Sequence, residues 1–312
     1  HTHTAKAGAL GRLAALVFNA SRPRSRRALV VHTFHGHVFE GYFSHPVSAA
    51  VRVVERALAA VSDRIIAISP RQRADLVERL RVTPDNRTVT IPLGLDLDQL
   101  LAVDDTTPTL RAELQIAPDV CVIGYVGRLV PIKAVDVLIR AFAVLHREHP
   151  RTCLLIVGDG PTRQDLMSLA AALGLSTHVR FTGWTSTLGS VYATLDICAL
   201  SSINEGTPVA LIEAMAAGRP AVALSVGGIS DVLVDGVTGK LVTAYGPDAL
   251  AESLGALVGS PAERARLGQA ARSRVGHRYA PARLVRDIDE LYRSALEEKR
   301  TSGQRVKPRS QR

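Results

Sequence analysis

The 312-residue chain is poor in the residues that mark several protein classes. Aromatic residues make up only 4% of it, so it offers little material for stacking nucleic-acid bases. Its longest apolar stretches, 120–126 and 195–200, are far shorter than the roughly 20 residues that cross a bilayer, so we predict no transmembrane helix. With 46% hydrophobic residues the chain can still form packed cores, and we expect a soluble globular protein.

Cysteine is also scarce. Cys121, Cys153 and Cys198 each lie in an apolar run typical of a buried strand, and none has a partner at metal-ligand spacing. We interpret them as reduced core residues and expect a cytoplasmic protein.

The formal net charge of +9 is the compositional feature that could indicate a polyanionic partner. The basic residues concentrate at 22–27 and in the tail 299–312, where Gly, Pro, Ser and Gln are typical of a disordered end. Because clustering is poor and aromatics are few, we predict no nucleic-acid partner. Attraction of these segments to an anionic membrane surface, at the inner face of the cell membrane, stays open as an alternative.

From about residue 118 to 245, short apolar runs alternate with helical patterns. This alternation predicts a parallel sheet with crossover helices, that is, a complete doubly wound domain with ligand-binding loops at the carboxyl ends of its strands. The predicted strands are 120–126, 153–157, 179–182, 196–200, 221–224 and 240–242. The clearest predicted helices are 134–145, 163–173 and 208–217.

The N-terminal part predicts fewer strands, at 29–34, 64–68 and 88–91, with helices near 5–17, 47–60 and 70–81. His1 stands at what looks like the end of a strand feeding a helix, so we expect a fragment whose opening strands are missing. We therefore predict a partial, acceptor-side lobe over 1–95 and a donor-binding lobe over 96–280. A helix over 281–298, which packs back on the first lobe, would follow. The basic, disordered tail over 299–312 would end the chain.

The segment from Glu205 to Glu213 follows directly on a predicted buried strand. Thr207 is a favourable N-cap and Pro208 a favourable first helical residue, so we expect a helix that starts there and stops at Gly218. Its free backbone N–H groups and dipole would suit an anion such as a diphosphate. Taken alone, however, two glutamates at this spacing more often mark a surface loop and a solvated helix face.

The run from Ser201 to Gly218 resembles the E-x7-E signature of the GT4-type retaining glycosyltransferases. The same family's other motifs occur in order, namely Gly127-Arg128-Leu129 with Lys133, Gly158-Asp159-Gly160-Pro161, Phe181-Thr182-Gly183-Trp184, Gly227-Gly228 and Asp235-Gly-x-Thr-Gly239. The resemblance covers about residues 1–298. It implies the α/β GT-B fold, with two Rossmann-like doubly wound lobes facing a cleft, of which the N-terminal lobe is incomplete.

Two cations, Arg128 and Lys133, follow the first strand of the second lobe. Aimed at the same crevice as the Glu205 helix, they could neutralise a leaving diphosphate without a metal. A lysine at a helix start is otherwise mildly disfavoured by the dipole, which favours a functional role for Lys133. By resemblance, Arg128 and Lys133 bind the donor phosphates. Glu205 then contacts the donor sugar hydroxyls, and Glu213 holds the ribose hydroxyls.

The resemblance implies further donor contacts, with the backbone of 207–209 lining the phosphates and Gly183 with Trp184 bordering the base. The whole implied donor-binding set is Gly36, Gly127, Gly158, Gly160, Gly183, Trp184, Gly206, Thr207, Pro208, Val209 and Glu213. Trp184 fits a core position equally well, and Gly158-Asp159-Gly160 could merely shape a turn. Because Arg163 stands where a third glycine would be needed, the dinucleotide-binding fingerprint is not met, and no Walker A pattern occurs.

In the N-terminal lobe, His32, His35 and His37 lie within six residues. Neutral imidazoles suit zinc, but strand alternation would place His32 and His35 on opposite faces, and we predict no metal site. By resemblance, His35 lies near the reacting sugar, and Gly36 lets the substrate approach the backbone. Glu40, Tyr42 and His45 are, with His37, acceptor-side candidates or ordinary loop residues.

The resemblance implies hexosyl transfer with retention from a nucleotide-diphosphate sugar, UDP rather than GDP, with no metal or cofactor required. The acceptor, whether saccharide, lipid-linked or small molecule, stays unidentified. Two alternatives remain at this point. One is a sugar-nucleotide epimerase of similar fold, which would not be expected to combine these motifs; the other is a noncatalytic nucleotide-sugar-binding fragment.

Overall fold

The structure, a computed structural model, describes residues 1–23, 26–36 and 44–304, with the backbone alone for 302–304. It divides into two compact units. Unit 1 comprises His1–Leu95 together with the chain from Tyr279 onward, and unit 2 comprises Asp96–Arg278. Each unit is built on a fully parallel sheet, which agrees with the predicted α/β class.

Unit 1 contains a four-stranded sheet in the order β1-β2-β3-β4. Its strands are β1 (Thr2–His3), β2 (Val31–Phe34), β3 (Arg64–Ala67) and β4 (Thr88–Thr90). The crossover helices are α1 (Ala5–Ala20), α2 (His45–Ala60) and α3 (Pro70–Ala74), the last of which continues as a π-helical turn, Asp75–Arg79. A short 3₁₀ turn, Asp85–Arg87, leads into β4.

The last helix, α12 (Pro281–Gln304), belongs to unit 1. Its apolar side chains Leu284, Ile288, Leu291 and Tyr292 pack against Val31, Ile66 and Ile91 of the sheet. The predicted start of a disordered tail at residue 299 is wrong for the first residues of that segment. Lys299 donates to the carbonyl of Ala28 at 3.0 Å and to Asp63 at 3.1 Å, and these contacts hold the final turns of α12.

Unit 2 contains a six-stranded sheet in the order β10-β9-β8-β5-β6-β7. Its strands are β5 (Cys121–Val126), β6 (Thr152–Val157), β7 (Val179–Gly183), β8 (Ile197–Leu200), β9 (Ala221–Leu224) and β10 (Gly239–Val242). All six lie close to the predicted runs. Strands β6, β8 and β9 are buried along their whole length, which explains their near-continuous apolar sequences.

The helices of unit 2 surround this sheet. They are α4 (Asp98–Leu101), α5 (Val135–Glu148), α6 (Arg163–Ala172), α7 (Leu188–Thr194), α8 (Val209–Ala216), α9 (Ile229–Val232), α10 (Pro247–Val258) and α11 (Pro261–Arg278). The strand order reverses direction between β5 and β8, because β6 and β7 extend to one side and β8 returns to the other. In doubly wound sheets, ligands bind outside the carboxyl ends of the strands at such a reversal.

The three cysteines are free. Cys153 and Cys198 are buried in unit 2 and Cys121 is half-buried there. Burial raises the pKa of the Cys198 thiol to about 12 and that of Cys153 to about 11, so both stay protonated and inert near neutral pH.

Candidate functional site

An ion pair joins the two strands at the reversal of the unit 2 sheet. Lys133 follows β5 and Glu205 follows β8, and Nζ of Lys133 lies 2.6 Å from Oε1 of Glu205. The Glu205 side chain is only 7% exposed and that of Lys133 is 23% exposed, so water screens this pair less than a surface pair. The structure thus brings together two residues that lie 72 positions apart and that the sequence predicted to share one crevice.

Two serines at the end of β8 fix this pair in place. Ser202 donates its hydroxyl to Oε1 of Glu205 at 2.6 Å, so one carboxylate oxygen receives two donors. Ser201 donates to the carbonyls of Ala134, at 2.8 Å, and Lys133, at 3.2 Å. Both serines are fully buried. Oε2 of Glu205 is therefore the oxygen that can accept from a ligand.

The Gly227-Gly228 motif supports the same loop from the next strand. The Gly228 amide donates to the carbonyl of Glu205 at 2.9 Å. A Cβ at Gly227 would lie 2.0 Å from that carbonyl oxygen, and Gly227 has a φ of +51°. Only glycine meets both conditions without strain, so this motif shapes the Glu205 loop.

The predicted helix start beside Lys133 is corrected by one residue. Ala134 has a left-handed φ of +45° and precedes α5, so the helix begins at Val135 rather than at 134. Lys133 ends a 3₁₀ turn, Pro131–Lys133. Its charge therefore belongs to a turn at the strand end, and the argument from an unfavourable helix dipole does not apply to it.

The predicted start of the Glu205 helix is also corrected. Pro208 is the N-cap and Val209 the first helical residue, whereas Thr207 was expected to be the cap. Gly206 and Thr207 form the bend before the helix. The Thr207 hydroxyl is buried and has no partner in the described part of the chain. The first helical amides, of Val209 and Ala210, likewise have no protein acceptor among those residues.

Glu213 lies in the second turn of α8, as predicted. Tyr192 of α7 donates its hydroxyl to Oε2 of Glu213 at 2.8 Å and also contacts the carbonyl of Ala210 at 3.2 Å. Burial raises the pKa of Glu213, while the bond from Tyr192 opposes that shift. Tyr192 is a contact of the candidate residue Glu213 that the sequence analysis did not identify.

The loops after β5 and β6 hold each other through their backbones. The Gly127 amide donates to the carbonyl of Val157 at 3.0 Å. The loop after β5 is also held from its own strand, because the hydroxyl of Tyr125 donates to the carbonyl of Arg128 at 2.9 Å. A Cβ at Gly158 would lie 1.9 Å from the carbonyl oxygen of Gly127. A Cβ at Gly160 would lie 2.1 Å from the carbonyl oxygen of Leu129. Packing between loops thus accounts for the Gly-Asp-Gly turn without a ligand.

The loop after β7 presents Trp184. This residue is 79% exposed, so the core alternative for it is wrong. Gly183 has a φ of +74° and accepts the Gly158 amide at 2.8 Å, which ties this loop to the turn after β6. The Asp235-to-Gly239 motif is a structural turn before β10, because Asp235 accepts the Leu241 amide at 2.9 Å.

In unit 1, His35 follows β2, and its Nε2 lies 2.8 Å from Nδ1 of His3. His32 is buried and its Nδ1 bonds the Thr2 hydroxyl at 2.9 Å. Burial, and then the charge of Arg12, lower the pKa of His32 to about 3. Gly36 lies in the bend after His35, and a Cβ there would meet nothing within 4 Å.

Of the remaining acceptor-side candidates, one lies within the described residues and three lie outside them. His45 is the exposed first residue of α2. His37, Glu40 and Tyr42 lie outside the described residues. Within the described residues, no group of three or more His, Cys, Asp or Glu is arranged to hold a metal ion.

The phosphate, sugar and ribose candidates of unit 2 therefore cluster at the carboxyl ends of β5 and β8 and the start of α8. His35 and Gly36 belong to unit 1. Over the described ranges, no helix has the length and apolar character needed to cross a membrane.

Comparison with known proteins adds to this geometry. The sequence model of the family described as "Glycosyl transferases group 1" matches residues 106–274, which is more than half of the chain. The model described as "Glycosyltransferase Family 4" matches residues 1–99.

Among curated proteins, the chain is similar to two named D-inositol 3-phosphate glycosyltransferase. The one from Salinispora tropica is 33% identical over 82% of this chain and 56% of its own length. The one from Nocardia farcinica is 35% identical over 86% of this chain and 62% of its own length. The chain thus spans little more than half the length of these relatives.

Solved structures share the fold. A crystal structure of Anabaena HepE in complex with UDP and glucose has a TM-score of 0.80 at 23% identity, over 93% of this chain and 76% of its own. Sucrose-phosphate synthase from Thermosynechococcus elongatus has a TM-score of 0.78 at 26% identity, over 93% of this chain and 72% of its own. These similarities confirm the predicted GT-B fold class. With more than half of its residues matched by that family's model, the chain belongs to the glycosyl transferases group 1 family.

Proposed function

We propose that the chain provides a retaining, metal-independent glycosyltransferase that moves a hexose from a UDP-sugar to an acceptor. The observation that carries this proposal is the ion pair between Lys133 and Glu205, which spans the sheet reversal beside the open start of α8. A cation, a partly free carboxylate and unpaired amides at one place suit a sugar diphosphate.

A diphosphate fits the polar groups at the start of α8 that have no partner among the described residues. The buried hydroxyl of Thr207 and the amides of Val209 and Ala210 are donors at the positive end of the α8 dipole. Lys133 and Arg128 add positive charge from the loop after β5. Together, the Thr207 hydroxyl, the two amides and the two cationic side chains can hold the leaving diphosphate, so the proposal requires no metal ion.

The remaining donor contacts follow from the same arrangement. Oε2 of Glu205 would accept from a hydroxyl of the donor sugar. Glu213, held by Tyr192, would accept from the ribose hydroxyls. The exposed ring of Trp184, next to Gly183, would border the base.

The reaction then needs positioning and charge stabilisation. The bond between the anomeric carbon and the diphosphate oxygen breaks, and its electron pair leaves with the diphosphate. The acceptor oxygen forms its bond to the same face of the sugar and transfers its proton to a departing phosphate oxygen. Lys133, Arg128 and the α8 amides stabilise the negative charge that develops. In unit 1, which would bind the acceptor, His35 would be the catalytic histidine that the family resemblance implies.

The names of related proteins suggest which donor and which acceptor to test first. Solved structures of HepE are described as complexes with UDP and with UDP-glucose, which supports a UDP-sugar donor. The curated relatives are named for D-inositol 3-phosphate, so that compound is the first acceptor to test.

A donor screen on the full chain tests the proposal. UDP-sugars and GDP-sugars are incubated with candidate acceptors, released nucleotide is quantified, and the anomeric configuration of the product is read by proton NMR. We expect UDP release, retained configuration and equal rates with and without EDTA. An epimerised donor pool in the absence of acceptor would indicate the epimerase instead. Calorimetric binding of a UDP-sugar without UDP release for any acceptor would indicate a noncatalytic binding fragment.

A further inference from the structure

Two imidazoles meet at the carboxyl edge of the unit 1 sheet. His3 ends β1, and His35 follows the last residue of the adjacent parallel strand β2, where His3 is paired in register with Thr33. Nδ1 of His3 lies 2.8 Å from Nε2 of His35, and the ring centroids are 5.1 Å apart. The parallel register thus creates a contact between residues 32 positions apart.

A hydrogen bond between two imidazole nitrogens constrains both rings. One nitrogen must carry the proton and the other must present a lone pair, so the tautomer of one ring fixes that of the other. The bond occupies Nε2 of His35. Nδ1 is consequently the nitrogen of His35 that can meet a substrate, and its protonation depends on which way the bond with His3 runs.

The ring of His3 is itself held in place. His1 stacks on it with centroids 4.3 Å apart, and Nε2 of His1 bonds the Thr33 hydroxyl at 2.7 Å. The Tyr292 hydroxyl of α12 bonds the other nitrogen of His1. His3 is an exposed residue, and these contacts of its neighbour restrict the positions that its ring can take.

The charge balance favours a neutral pair. Burial, and then the nearby His3, lower the pKa of His35. His32 also faces the pair and stays neutral well below pH 7, since its pKa is about 3. Arg12, which acts on His32, adds positive charge on that side, and His1 lies on the other. One added proton would leave the bond intact, because the protonated ring can donate to the lone pair of the neutral ring, whereas protonation of both rings would remove that lone pair.

We propose that His3 is a positioning residue for His35, setting the ring orientation and tautomer with which His35 acts in catalysis. The role assigned to His35 rests on the proposed function, whereas the coupling of the two rings does not. The two parts can be tested separately on the same variants.

The coupling is tested by NMR on the ¹⁵N-labelled full chain. Long-range proton–nitrogen spectra between about pH 5 and 8 report the tautomer and the protonation midpoint of each histidine, with His35→Gln identifying the signals of His35. His3→Phe keeps a ring against His1 but has no nitrogen. We expect it to change the His35 tautomer and to raise the protonation midpoint of His35. The exposed His277→Phe of unit 2 is the matched control and should change neither.

The catalytic part is tested by kinetics on the same variants. We expect His3→Phe to lower kcat about tenfold with little change in the KM for the donor, and His3→Asn, whose amide can replace Nδ1, to restore most of it. A His3→Phe variant with wild-type tautomer and midpoint of His35 would overturn the coupling. Changed NMR signals with wild-type kcat would overturn the positioning role. Changed signals in a chain that transfers no sugar would leave the coupling standing and reject the proposed function.

Discussion

The hydroxyl of Tyr192 donates to Oε2 of Glu213 at 2.8 Å, from the fully buried interior of unit 2. Removing this hydroxyl would leave the carboxylate less well oriented for the ribose that Glu213 is proposed to hold. We expect Tyr192→Phe to weaken UDP binding about fivefold, because one hydrogen bond contributes about 1 kcal/mol. Calorimetric titration with UDP measures this change. Tyr245→Phe, at an exposed position, is the control and should bind UDP normally.

The same carboxylate should make stability depend on pH. Burial raises the pKa of Glu213 above its ordinary value of 4.5, so the folded state holds a proton that the unfolded state has released. The contribution of Glu213 to stability is therefore greatest at acid pH and falls as the pH rises through its folded pKa. Glu213→Gln should be more stable than the wild type at pH 8 but not at pH 4, while losing UDP affinity. Urea unfolding at both pH values checks this; an unchanged difference would contradict it.

Substitutions in the ion pair of Lys133 and Glu205 should affect activity and stability differently. We expect Lys133→Ala and Glu205→Ala to abolish transfer with the fold intact, with a loss in kcat of about a hundredfold or more. Lys133→Ala leaves a nearly buried carboxylate without its cation, which should cost about 1–2 kcal/mol after allowing for partial exposure. Adding Glu205→Gln should restore stability but not activity.

The controls for this pair are charged residues that form no part of the proposed site. Arg151, 78% exposed at the amino end of β6, serves as the matched cation, and Arg151→Ala should keep wild-type kcat. Glu290 of α12, 70% exposed, serves as the matched carboxylate through Glu290→Gln. Wild-type turnover by either Lys133→Ala or Glu205→Ala would reject the site assignment.

Substitutions at two glycines distinguish the effect of backbone strain on stability from the effect of a steric clash. Both glycines have a left-handed φ, but only one is crowded by a neighbouring atom. Gly227 has a φ of +51° and would place a Cβ 2.0 Å from the Glu205 carbonyl, whereas Gly236 has a φ of +69° and open space around it. Gly236→Ala should cost about 1 kcal/mol of stability through the left-handed conformation alone. Gly227→Ala should cost more and also weaken donor binding, because the Glu205 loop must move. Equal effects in thermal unfolding and UDP-sugar titration would contradict this account.

The sequence predicted the sheet of unit 2 well because strands that are buried on both faces have continuous apolar sequences. It placed the starts of α5 and α8 wrongly. Ala134 adopts a left-handed conformation that alanine seldom takes, and Pro208 caps a helix that a threonine was expected to cap. Local residue preferences could not reveal either, since loop packing outweighs them at both positions.

The partners of the site residues were harder to predict than the residues themselves. Glu205 and Lys133 follow strands that become neighbours only through the sheet order, and the motif spacing indicated both. Tyr192 lies 21 residues before Glu213, on a short helix that the periodicity did not indicate. The contact of His3 with His35 depends on the register of β1 with β2. Such long-range contacts leave no local pattern in a single sequence.

The buried hydroxyl of Thr207 has no partner within the part of the chain that the structure describes, and its removal should have opposite effects on stability and on donor binding. A buried hydroxyl without a partner is costly, so Thr207→Val should raise the stability of the free protein by about 1 kcal/mol. If the hydroxyl serves the diphosphate, the same change should weaken UDP-sugar binding about fivefold. Thr238→Val is the matched control, because the Thr238 hydroxyl accepts the Val234 amide at 2.9 Å. That control should lower stability and leave binding unchanged. A Thr207→Val variant that is less stable and binds donor normally would show that the hydroxyl has another partner than the diphosphate.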